Sequence, residues 1–283
     1  GDAFALIYSA EEDKLYGLNG SGRAPYKASI DAMEKMGLET MPELGMLAVT
    51  VPGALHAWAE AQERFGRLDL AAVLEDAIHH AKNGYPVSEI IAGEWKNAEE
   101  TLRSQPGGDA YLLGGHAPKP GQVFKNPNLA RTFQMIADKG VGAFYSGKMC
   151  KKIVAFSDAH GGMLSIKDFE DHASTWVEPI STDYRGHTVY ELPPNGQGLT
   201  ALEMLNIMEG YDVRAMGHNN ADYLHLVIEA KKLAFSNRDY YITDPELFDI
   251  PVEFLGSKAC AAESRNSIDM GAAMDPHPPA IAP

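Results

Sequence analysis

The feature that most constrains the fold is the unequal distribution of strand-like and helix-like segments along the sequence. Strand-like runs lie near the start, at residues 4–8 and 15–18, and again at residues 177–184 and 187–192. A polar connection separates the first two runs, which predicts that they pair as a hairpin. Most other segments repeat apolar residues at steps of three and four, which is typical of helices. We therefore expect an α+β fold in which helices pack on a sheet whose remaining strands lie outside this chain.

The predicted helices are bounded by residues typical of helix ends. They cover residues 26–36, 54–65, 71–83, 90–104, 127–139, 148–160, 199–209 and 221–237. Asp69 is the expected N-cap of the helix at 71–83 and Gly84 the residue that ends it, and Ser165 is expected to cap a further short helix. Residues 46–51 form an apolar run that predicts a strand, whereas the glycine- and proline-rich residues 106–122 predict a loop.

Both ends of the sequence carry an expectation of their own. The continuous apolar run at residues 4–8 predicts a buried strand directly after the first residue, which favours further chain upstream. Residues 275–283 read Asp-Pro-His-Pro-Pro-Ala-Ile-Ala-Pro. Proline lacks the N–H donor that helices and sheets need, so these residues are predicted to form an exposed tail.

Composition excludes several classes of function. The net charge is −15 and no basic stripe occurs, which argues against a nucleic-acid or other phosphate-binding surface. No run approaches the roughly 18 apolar residues of a membrane helix, and no leader is recognisable at the start. The two cysteines, Cys150 and Cys260, are far apart and fit a reducing compartment. We expect no membrane partner, no metal site and a cytoplasmic location, with a periplasmic one left open.

The loop between the first hairpin and the first predicted helix holds the best candidate for a binding residue. Residues 18–25 read Leu-Asn-Gly-Ser-Gly-Arg-Ala-Pro, and no acidic residue occurs between Lys14 and Asp31. An arginine fixed after a strand by a tight glycine loop can bind a carboxylate through two parallel hydrogen bonds. Arg23 is therefore the candidate substrate-binding residue. The alternative is an ordinary solvated arginine on a turn.

The chain lacks the standard catalytic motifs, but its segments resemble one enzyme family. It has no phosphate-binding glycine loop, no Gly-x-Ser-x-Gly elbow and no His-Glu-x-x-His zinc helix. The large subunit of γ-glutamyltransferases (γ-glutamyltranspeptidases) is similar to it in many motifs taken in order. They include Thr-Val-Pro-Gly-Ala-Leu-His-Ala-Trp at 50–58, Arg-Phe-Gly at 64–66, Asn-Gly-Tyr-Pro-Val-Ser at 83–88, Asn-Pro-Asn-Leu-Ala at 126–130, Gly-Ala-Phe-Tyr-Ser-Gly at 142–147, Gly-Gly-Met-Leu-Ser at 161–165, Tyr-Arg-Gly at 184–186 and Glu-Ala-Lys-Lys-Leu-Ala-Phe at 229–235.

The resemblance implies a self-processing enzyme of which this chain is one part. Members of the family cleave themselves before a threonine, which then serves as nucleophile and, through its α-amino group, as its own base. The implied fold is the four-layer αββα sandwich of N-terminal nucleophile hydrolases, with residues 1–283 as the large-subunit portion of a single domain completed by a small subunit. No catalytic residue is then expected in this chain, and no cofactor or metal. The expected partners are that small subunit and a small-molecule amide.

The chain departs from typical family members at the arginine loop. Ser21 stands where the resemblance would place the arginine that binds the α-carboxylate of a γ-glutamyl group, and Arg23 follows two residues later. The Gly-Arg-Ala-Pro form resembles the branch that includes oxamate amidohydrolase. Hydrolysis of a small carboxylate-bearing amide is thus expected in preference to the γ-glutamyl transfer of glutathione metabolism. A catalytically inert family member is the alternative, and a threonine beyond residue 283 would distinguish the two.

Overall fold

The computed structural model describes residues 1–275 and 278–282, and the chain forms two compact units. The first unit comprises Gly1–Ala3 and Gly20–Ser174, and the second comprises Phe4–Asn19 and Thr175–Pro283. The chain passes from the second unit to the first directly before the arginine loop. The candidate binding residue therefore lies at the start of the long segment that builds the first unit.

Helices outnumber strands in the described part of the chain, as the sequence predicts. The strands are β1 Ala3–Ser9, β2 Lys14–Gly20, β3 Tyr85–Pro86, β4 Val123–Phe124, β5 Thr175–Val177, β6 Ile180–Tyr184 and β7 His187–Glu191. The helices are α1 Ile30–Lys35, α2 Ala54–Phe65, α3 Leu70–Asn83, α4 Glu89–Asn97, α5 Glu99–Ser104, α6 Pro127–Lys139, α7 Gly142–Tyr145, α8 Lys148–Ala159, α9 Ile166–Glu170, α10 Gly198–Met208, α11 Val213–Met216, α12 Ala221–Tyr241, α13 Val252–Leu255 and α14 Lys258–Arg265. Two 3₁₀ turns cover Met46–Ala48 and Gly108–Tyr111.

Side-chain caps at the predicted positions start several helices. Asp69 accepts a hydrogen bond from the N–H of Ala72 at the start of α3. Ser165 and Asp168 form a reciprocal capping box at the start of α9. Each cap satisfies a backbone donor that has no partner within its helix. These predictions are confirmed. The caps could be predicted because cap and partner are only three residues apart.

Three predicted elements are present with different bounds. α1 begins at Ile30 behind an N-cap at Ser29, because the preceding residues form a turn in which Ala28 N–H binds the Pro25 carbonyl. The predicted helix at 90–104 divides at Ala98 into α4 and α5. The predicted strand at 177–184 divides into β5 and β6 near Pro179, whose missing N–H cannot join a ladder.

The strand predicted at residues 46–51 is wrong. Met46–Ala48 is a 3₁₀ turn, and the residues after it run irregularly to Gly53. The N–H of Val51 is bound by the carbonyl of Arg23 instead of by a neighbouring strand. This segment is therefore a loop that packs against the arginine loop.

Each unit has its own hydrophobic core. In the first unit, α3 packs against α6, and the central cluster consists of Val51, Leu55, Leu74, Ile136, Tyr145, Cys150, Leu164 and Phe169. In the second unit, α10 packs on α12 and on the β6–β7 hairpin, and the main cluster consists of Ile207, Met208, Leu226, Ala230, Leu233 and Ala261. The hairpin turns at Arg185 and Gly186, both with positive φ, at the place where the sequence predicts a turn. Burial of the two cores positions the loops described below.

The main sheet of the second unit has the strand order β1-β2-β5. β1 and β2 are neighbours, which confirms the predicted hairpin, and β5 pairs antiparallel with β2 through Leu18 and Trp176. The prediction that residues 4–8 are buried is wrong, because Phe4, Leu6 and Tyr8 are 45%, 39% and 60% exposed on one face of this edge strand. Alternate residues of a strand point to opposite faces, so their exposure gives one face of β1 an apolar surface.

The described residues of the predicted tail, 275 and 278–282, form neither helix nor strand and none of them is buried, as predicted, but the segment is also bound to α12. Glu229 Oε2 accepts the N–H of Met274 and Lys232 Nζ donates to the Met274 carbonyl, at 2.9 and 2.8 Å. Further along, Asn237 Oδ1 accepts the N–H of Ala280 at 2.7 Å. Proline removes donors at some positions only, so Ala280 keeps the N–H that binds the helix. The part of the prediction that concerns Pro276, His277 and Pro283 lies outside the described residues.

Candidate functional site

The arginine loop, residues 20–25, is held by backbone contacts with residues 50–53. The Arg23 carbonyl accepts the N–H of Val51 at 3.0 Å. The N–H of Gly22 donates to Asp2 Oδ1 at 2.7 Å. A carboxylate from the first residues of the chain thus anchors the loop whose own sequence has no acidic residue.

Two glycines allow this close backbone approach. A Cβ on Gly22 would lie 1.7 Å from the Val51 carbonyl oxygen, and a Cβ on Gly53 would lie 2.3 Å from the Gly20 carbonyl oxygen. Both distances are far below van der Waals contact, and the obstacle is backbone that cannot rotate away. The glycine-rich sequence around Arg23 is therefore explained by packing against residues 50–53.

The chain directly after Arg23 is fixed by the cap of α9. Tyr26 N–H donates to Asp168 Oδ1 at 2.8 Å, and the Tyr26 hydroxyl donates to Asp171 Oδ2 at 2.9 Å. Lys167 also donates to Asp171, at 2.6 Å. The hydrogen bonds to Lys167 and Tyr26 hold the pKa of the Asp171 carboxyl below its usual value. Both sides of Arg23 are therefore tied to fixed parts of the first unit.

A buried tyrosine fixes residues 50–53 in turn. The Tyr145 hydroxyl donates to the Pro52 carbonyl at 2.6 Å and accepts the N–H of His56 at 3.1 Å. Burial raises the pKa of Tyr145 to about 12, so the phenol stays protonated. This side chain links α7 to the first turn of α2 and to the loop that contacts Arg23.

Two histidines lie beside this tyrosine. His56 Nδ1 lies 3.0 Å from Ser174 Oγ. The His172 ring stacks on Tyr145 with a centroid distance of 5.4 Å and meets the His56 ring edge-on at 5.5 Å. Burial, and then the electrostatic influence of the neighbouring His56, lower the pKa of His172. Arg23 also lowers it and Asp2 raises it, so these two charged side chains act on the ring electrostatically.

Arg23 itself lies where the sequence predicts, after a strand and in a tight loop, with an exposed side chain. Sequence reasoning missed Asp2, His56, Tyr145 and His172. His56 and Tyr145 are 89 residues apart, and no local pattern connects them. The signal available in the sequence is the family resemblance, since Tyr145 and the first residues of α2 lie in motifs that carry it.

In the second unit, a polar loop lies at the end of β2. Asn19 Nδ2 donates to Asn195 Oδ1 at 2.8 Å, which ties the loop 193–198 to the last residues of that strand. Arg238 on α12 donates to Gln197 Oε1 at 3.0 Å. The loop is therefore held from a strand and from a helix of its own unit.

Residues 1–275 and 278–282 lack two further kinds of functional feature. No three or more His, Cys, Asp or Glu side chains in these ranges are arranged to hold a metal ion. No helix in the same ranges combines the length and the apolar character that crossing a membrane requires. Cys150 and Cys260 are both buried free thiols.

Comparisons with known proteins agree with one another. The family model described as Gamma-glutamyltranspeptidase matches residues 1–281. The Glutathione hydrolase-like YwrD proenzyme of Bacillus subtilis is 39% identical over 95% of this chain and 51% of its own length. The Oxamate amidohydrolase proenzyme of Klebsiella pneumoniae is 33% identical over the same shares of the two chains. The solved cephalosporin acylase of Bacillus halodurans is 42% identical over 95% of this chain and 51% of its own, with a TM-score of 0.88.

These comparisons test the predictions of family and fold. The chain spans about half the length of the curated relatives it matches. It also superposes on solved gamma-glutamyltranspeptidases, so its α+β architecture is that of an N-terminal nucleophile hydrolase. The similarity to YwrD and to oxamate amidohydrolase confirms the predicted resemblance. With the family model matching nearly every residue, the chain belongs to the γ-glutamyltranspeptidase family and corresponds to its large-subunit region.

Proposed function

We propose that this chain is the large-subunit portion of a self-processing amidohydrolase in which Arg23 binds the carboxylate of the acyl group. The observation that carries the proposal is the fixed loop around an exposed arginine in a chain whose relatives are amidase and acylase proenzymes. Contacts to Val51 and Asp2 hold the loop backbone. The guanidinium can then bind a carboxylate without the cost of ordering the loop.

The proposed chemistry uses a threonine of the small subunit, outside this chain. Its hydroxyl oxygen attacks the amide carbonyl while its α-amino group takes the hydroxyl proton. The C–N bond breaks, the leaving amine takes up a proton, and an acyl ester remains on the threonine. Water then attacks the ester, which releases the carboxylic acid and restores the hydroxyl. Arg23 orients the acyl part throughout these steps by charge-assisted hydrogen bonds.

Hydrolysis of a small amide is proposed in preference to γ-glutamyl transfer. Ser21 stands where typical members place their arginine, and the Gly-Arg-Ala-Pro form at residues 22–25 resembles the oxamate amidohydrolase branch. Ser21 and Arg23 occupy different positions in the loop that follows β2, so an arginine at position 23 starts from a different place in the loop than one at position 21. The shift favours an acyl group shorter than γ-glutamyl, or one whose carboxylate is placed differently.

Substitution of Arg23 in the complete precursor tests this proposal. Arg23→Ala should reduce kcat/KM by roughly thirtyfold or more, which corresponds to a loss of ~2 kcal/mol of carboxylate binding. Arg23→Lys should also lose activity, because an ammonium lacks the planar geometry that binds both carboxylate oxygens. The exposed Arg67→Ala variant removes the same charge from the first unit and should retain activity. Self-cleavage, measured by intact mass, should remain normal in all three variants.

Two results would overturn the role of Arg23. Normal turnover by Arg23→Ala would make it a solvated turn residue, and failure of that variant to assemble would make it a structural part of the loop. Absence of self-cleavage in the unmodified precursor would instead contradict the amidohydrolase proposal itself. The two failures are distinguished by the mass measurement.

We further propose that residues 1–283 form part of one αββα domain that a small subunit completes. The apolar face of β1, with Phe4, Leu6 and Tyr8 exposed, supports a partner layer over this sheet. An obligate interface of this kind should bury well over ~2,000 Å². The polypeptide 1–283 expressed alone should therefore not unfold cooperatively. A monodisperse sample with a sharp thermal transition would contradict the proposal.

A further inference from the structure

An open apolar groove of the first unit begins at the arginine loop. Ala24 and Pro25, which follow the arginine directly, form part of its lining. Thr50 also lines it and is the neighbour of Val51, whose N–H binds the Arg23 carbonyl at 3.0 Å. The groove has a volume of about 790 Å³, within the range of small-molecule sites. Both segments that meet at the backbone of Arg23 therefore continue into the groove.

The rest of the groove is lined mainly by aliphatic and methionine side chains. Ile30 and Met33 of α1 lie three residues apart, on one face of the helix. Leu38, Met41 and Leu47 follow from the chain after α1. Ile30 is 78% exposed and Met41 is 52% exposed, so this lining is accessible to a ligand. Methionine adapts its shape to its contacts, which suits apolar groups of different shapes.

The helix α1 holds these side chains at the surface and not in the core. None of its six residues is buried. Its start is fixed by polar contacts instead, since Ser29 Oγ accepts the N–H of Ala32 at 3.1 Å and the Pro25 carbonyl accepts the N–H of Ala28 at 2.8 Å. The apolar face of a surface helix normally packs inward. Here that face borders the groove beside Arg23, which indicates contact with a ligand.

The charges of the groove indicate which part of a ligand it takes. Its charged lining residues are Glu34 and Glu39, both exposed, and no lysine or arginine lines it. A negative group would be repelled within the groove and stabilised at Arg23. A concave apolar surface beside one fixed polar group is typical of small-molecule sites, in which apolar contacts supply affinity and the polar group sets orientation. The groove therefore suits an uncharged apolar group attached to an anionic one.

We propose that the groove binds an uncharged alkyl or aryl substituent of the substrate's acyl group, next to the carboxylate that Arg23 binds. This assignment rests on the proposed function, from which it takes the carboxylate at Arg23. It adds the substrate class, which is an amide whose acyl group combines a carboxylate with an apolar substituent. Each methylene that the groove removes from water adds affinity, so the site should select by the size of that substituent.

The test measures the binding of linear carboxylates to the complete protein by titration calorimetry, with weak probes measured by displacement of octanoate. Butyrate, hexanoate and octanoate share one head group and lengthen by two methylenes at a time. Affinity should rise about tenfold at each step. Suberate, which has the length of octanoate but a carboxylate at both ends, should bind more weakly than octanoate. The neutral 1-hexanol should bind more weakly than hexanoate.

Variants separate the groove from the arginine. Met33→Ser/Met41→Ser shortens two lining side chains, neither of which is buried, and should weaken octanoate about tenfold or more while changing butyrate little. Met36→Ser is the matched control, because Met36 is 49% exposed and does not line the groove. It should keep the parent affinities. Arg23→Ala should weaken all three carboxylates by a similar factor and keep their dependence on chain length.

The possible failures are distinguishable. Equal affinities for butyrate, hexanoate and octanoate would overturn the groove as a substituent site, and a loss of their binding in Arg23→Ala would then leave the proposed role of Arg23 intact. Unchanged carboxylate binding in Arg23→Ala would contradict that role, and with it the pairing of groove and carboxylate. A dependence on chain length that survives in Met33→Ser/Met41→Ser, or that is lost equally in Met36→Ser, would place the apolar site elsewhere. Absence of octanoate binding would show that the groove binds no such ligand in the complete protein.

Discussion

Two irregular segments of this protein are anchored by different physical means. In the first unit, the arginine loop at residues 20–25 is fixed chiefly by backbone that packs on backbone, at positions where only glycine fits. In the second unit, the described C-terminal residues 274–275 and 278–282 are held by polar side chains of α12, which bind N–H and C=O groups of Met274 and Ala280. The arginine loop packs closely because its glycines have no Cβ, whereas the C-terminal segment is held by hydrogen bonds to side chains.

This difference determines which perturbation each segment resists. The backbone packing of the arginine loop does not depend on the charge of a side chain, and it leaves no room for an added methyl group. The α12 anchor contains Glu229, whose ion pair with Lys232 and whose bond from Met274 hold its pKa below the usual value although burial opposes this shift. It also contains Asn237, which donates to the buried Glu203. Its strength should therefore depend on protonation.

The largest effect is expected at Gly22. Gly22→Ala places a Cβ on the Val51 carbonyl oxygen, so the loop must move away from residues 50–53. We expect a loss of roughly 3 kcal/mol of stability or more, at the upper end of overpacking effects, together with loss of activity. Gly93→Ala is the matched control, because its Cβ would meet no atom within 4 Å in α4 and should be neutral or slightly stabilising. Thermal unfolding of the complete processed protein carrying each variant tests the prediction, and a melting temperature for Gly22→Ala equal to that of the parent would refute it.

A pH effect of similar size is expected from Glu203 in the second unit. Burial raises the pKa of Glu203 to about 8, although the bond from Asn237 acts in the opposite direction. The folded protein thus holds this proton more tightly than the unfolded chain, whose carboxyl titrates near 4.5. Stability should therefore fall by roughly 3 kcal/mol as pH rises from about 5 to 8, and then level off.

Glu203→Gln resembles the neutral acid and should remove most of this dependence. The measurement is denaturant unfolding of both proteins across this pH range. Glu253→Gln, at an exposed carboxylate of α13, is the control and should keep the parent slope. The same pH slope in Glu203→Gln as in the parent would show that Glu203 ionises near its ordinary value.

A smaller loss is expected at Asn237, which connects Glu203 to the C-terminal segment. Asn237→Ala leaves the N–H of Ala280 and one oxygen of Glu203 without their partner. Unpaired buried groups of this kind cost about 2 kcal/mol. Hydrogen exchange at Ala280 should accelerate together with the loss of stability, whereas the exposed Asn97→Ala should change neither. Unchanged exchange at Ala280 would contradict the anchoring role of Asn237.

The same contrast explains what the sequence could predict. Asp69, Ser165 and the turn at Arg185 were predictable because cap or turn geometry involves residues within a few positions of one another. Arg23 was placed correctly for the same reason, since the strand, the glycines and the proline around it are contiguous. The fold class followed from a family resemblance that covers almost the whole chain.

The contacts around the candidate site join residues far apart in sequence. Asp2 binds Gly22 from 20 residues away, and His56 and Tyr145 meet across 89 residues. Periodicity and capping rules carry no information on such pairs, which depend on how helices pack. The tail was predicted from proline content, which gave no sign that the N–H of Ala280 would bind Asn237 on α12, 43 residues away. The proline content of this segment thus predicts that it forms neither helix nor strand, but not which part of the protein it contacts.

The smallest effect is expected at the far end of the C-terminal anchor. The Tyr241 hydroxyl donates to the Ala280 carbonyl at 2.7 Å and accepts the N–H of Ala282 at 3.3 Å. Tyr241→Phe removes these bonds but keeps the ring that packs among Leu199, Ile250 and Leu255. The cost should be about 1 kcal/mol, the net value of an ordinary hydrogen bond.

The change should remain local to the anchor. Hydrogen exchange at Ala282 should accelerate several-fold, while exchange in the core of α10 and α12 stays protected, because the segment can detach without unfolding the helices. Tyr240→Phe is the matched control, since the Tyr240 side chain is 66% exposed. If Tyr241→Phe unfolds the second unit as a whole, the C-terminal segment is part of the core of that unit and not a segment bound to its surface. If exchange at Ala282 is unchanged, Asn237 and the Glu229–Lys232 pair suffice to hold the segment, and the anchor is weaker at this end than the contacts of Tyr241 indicate.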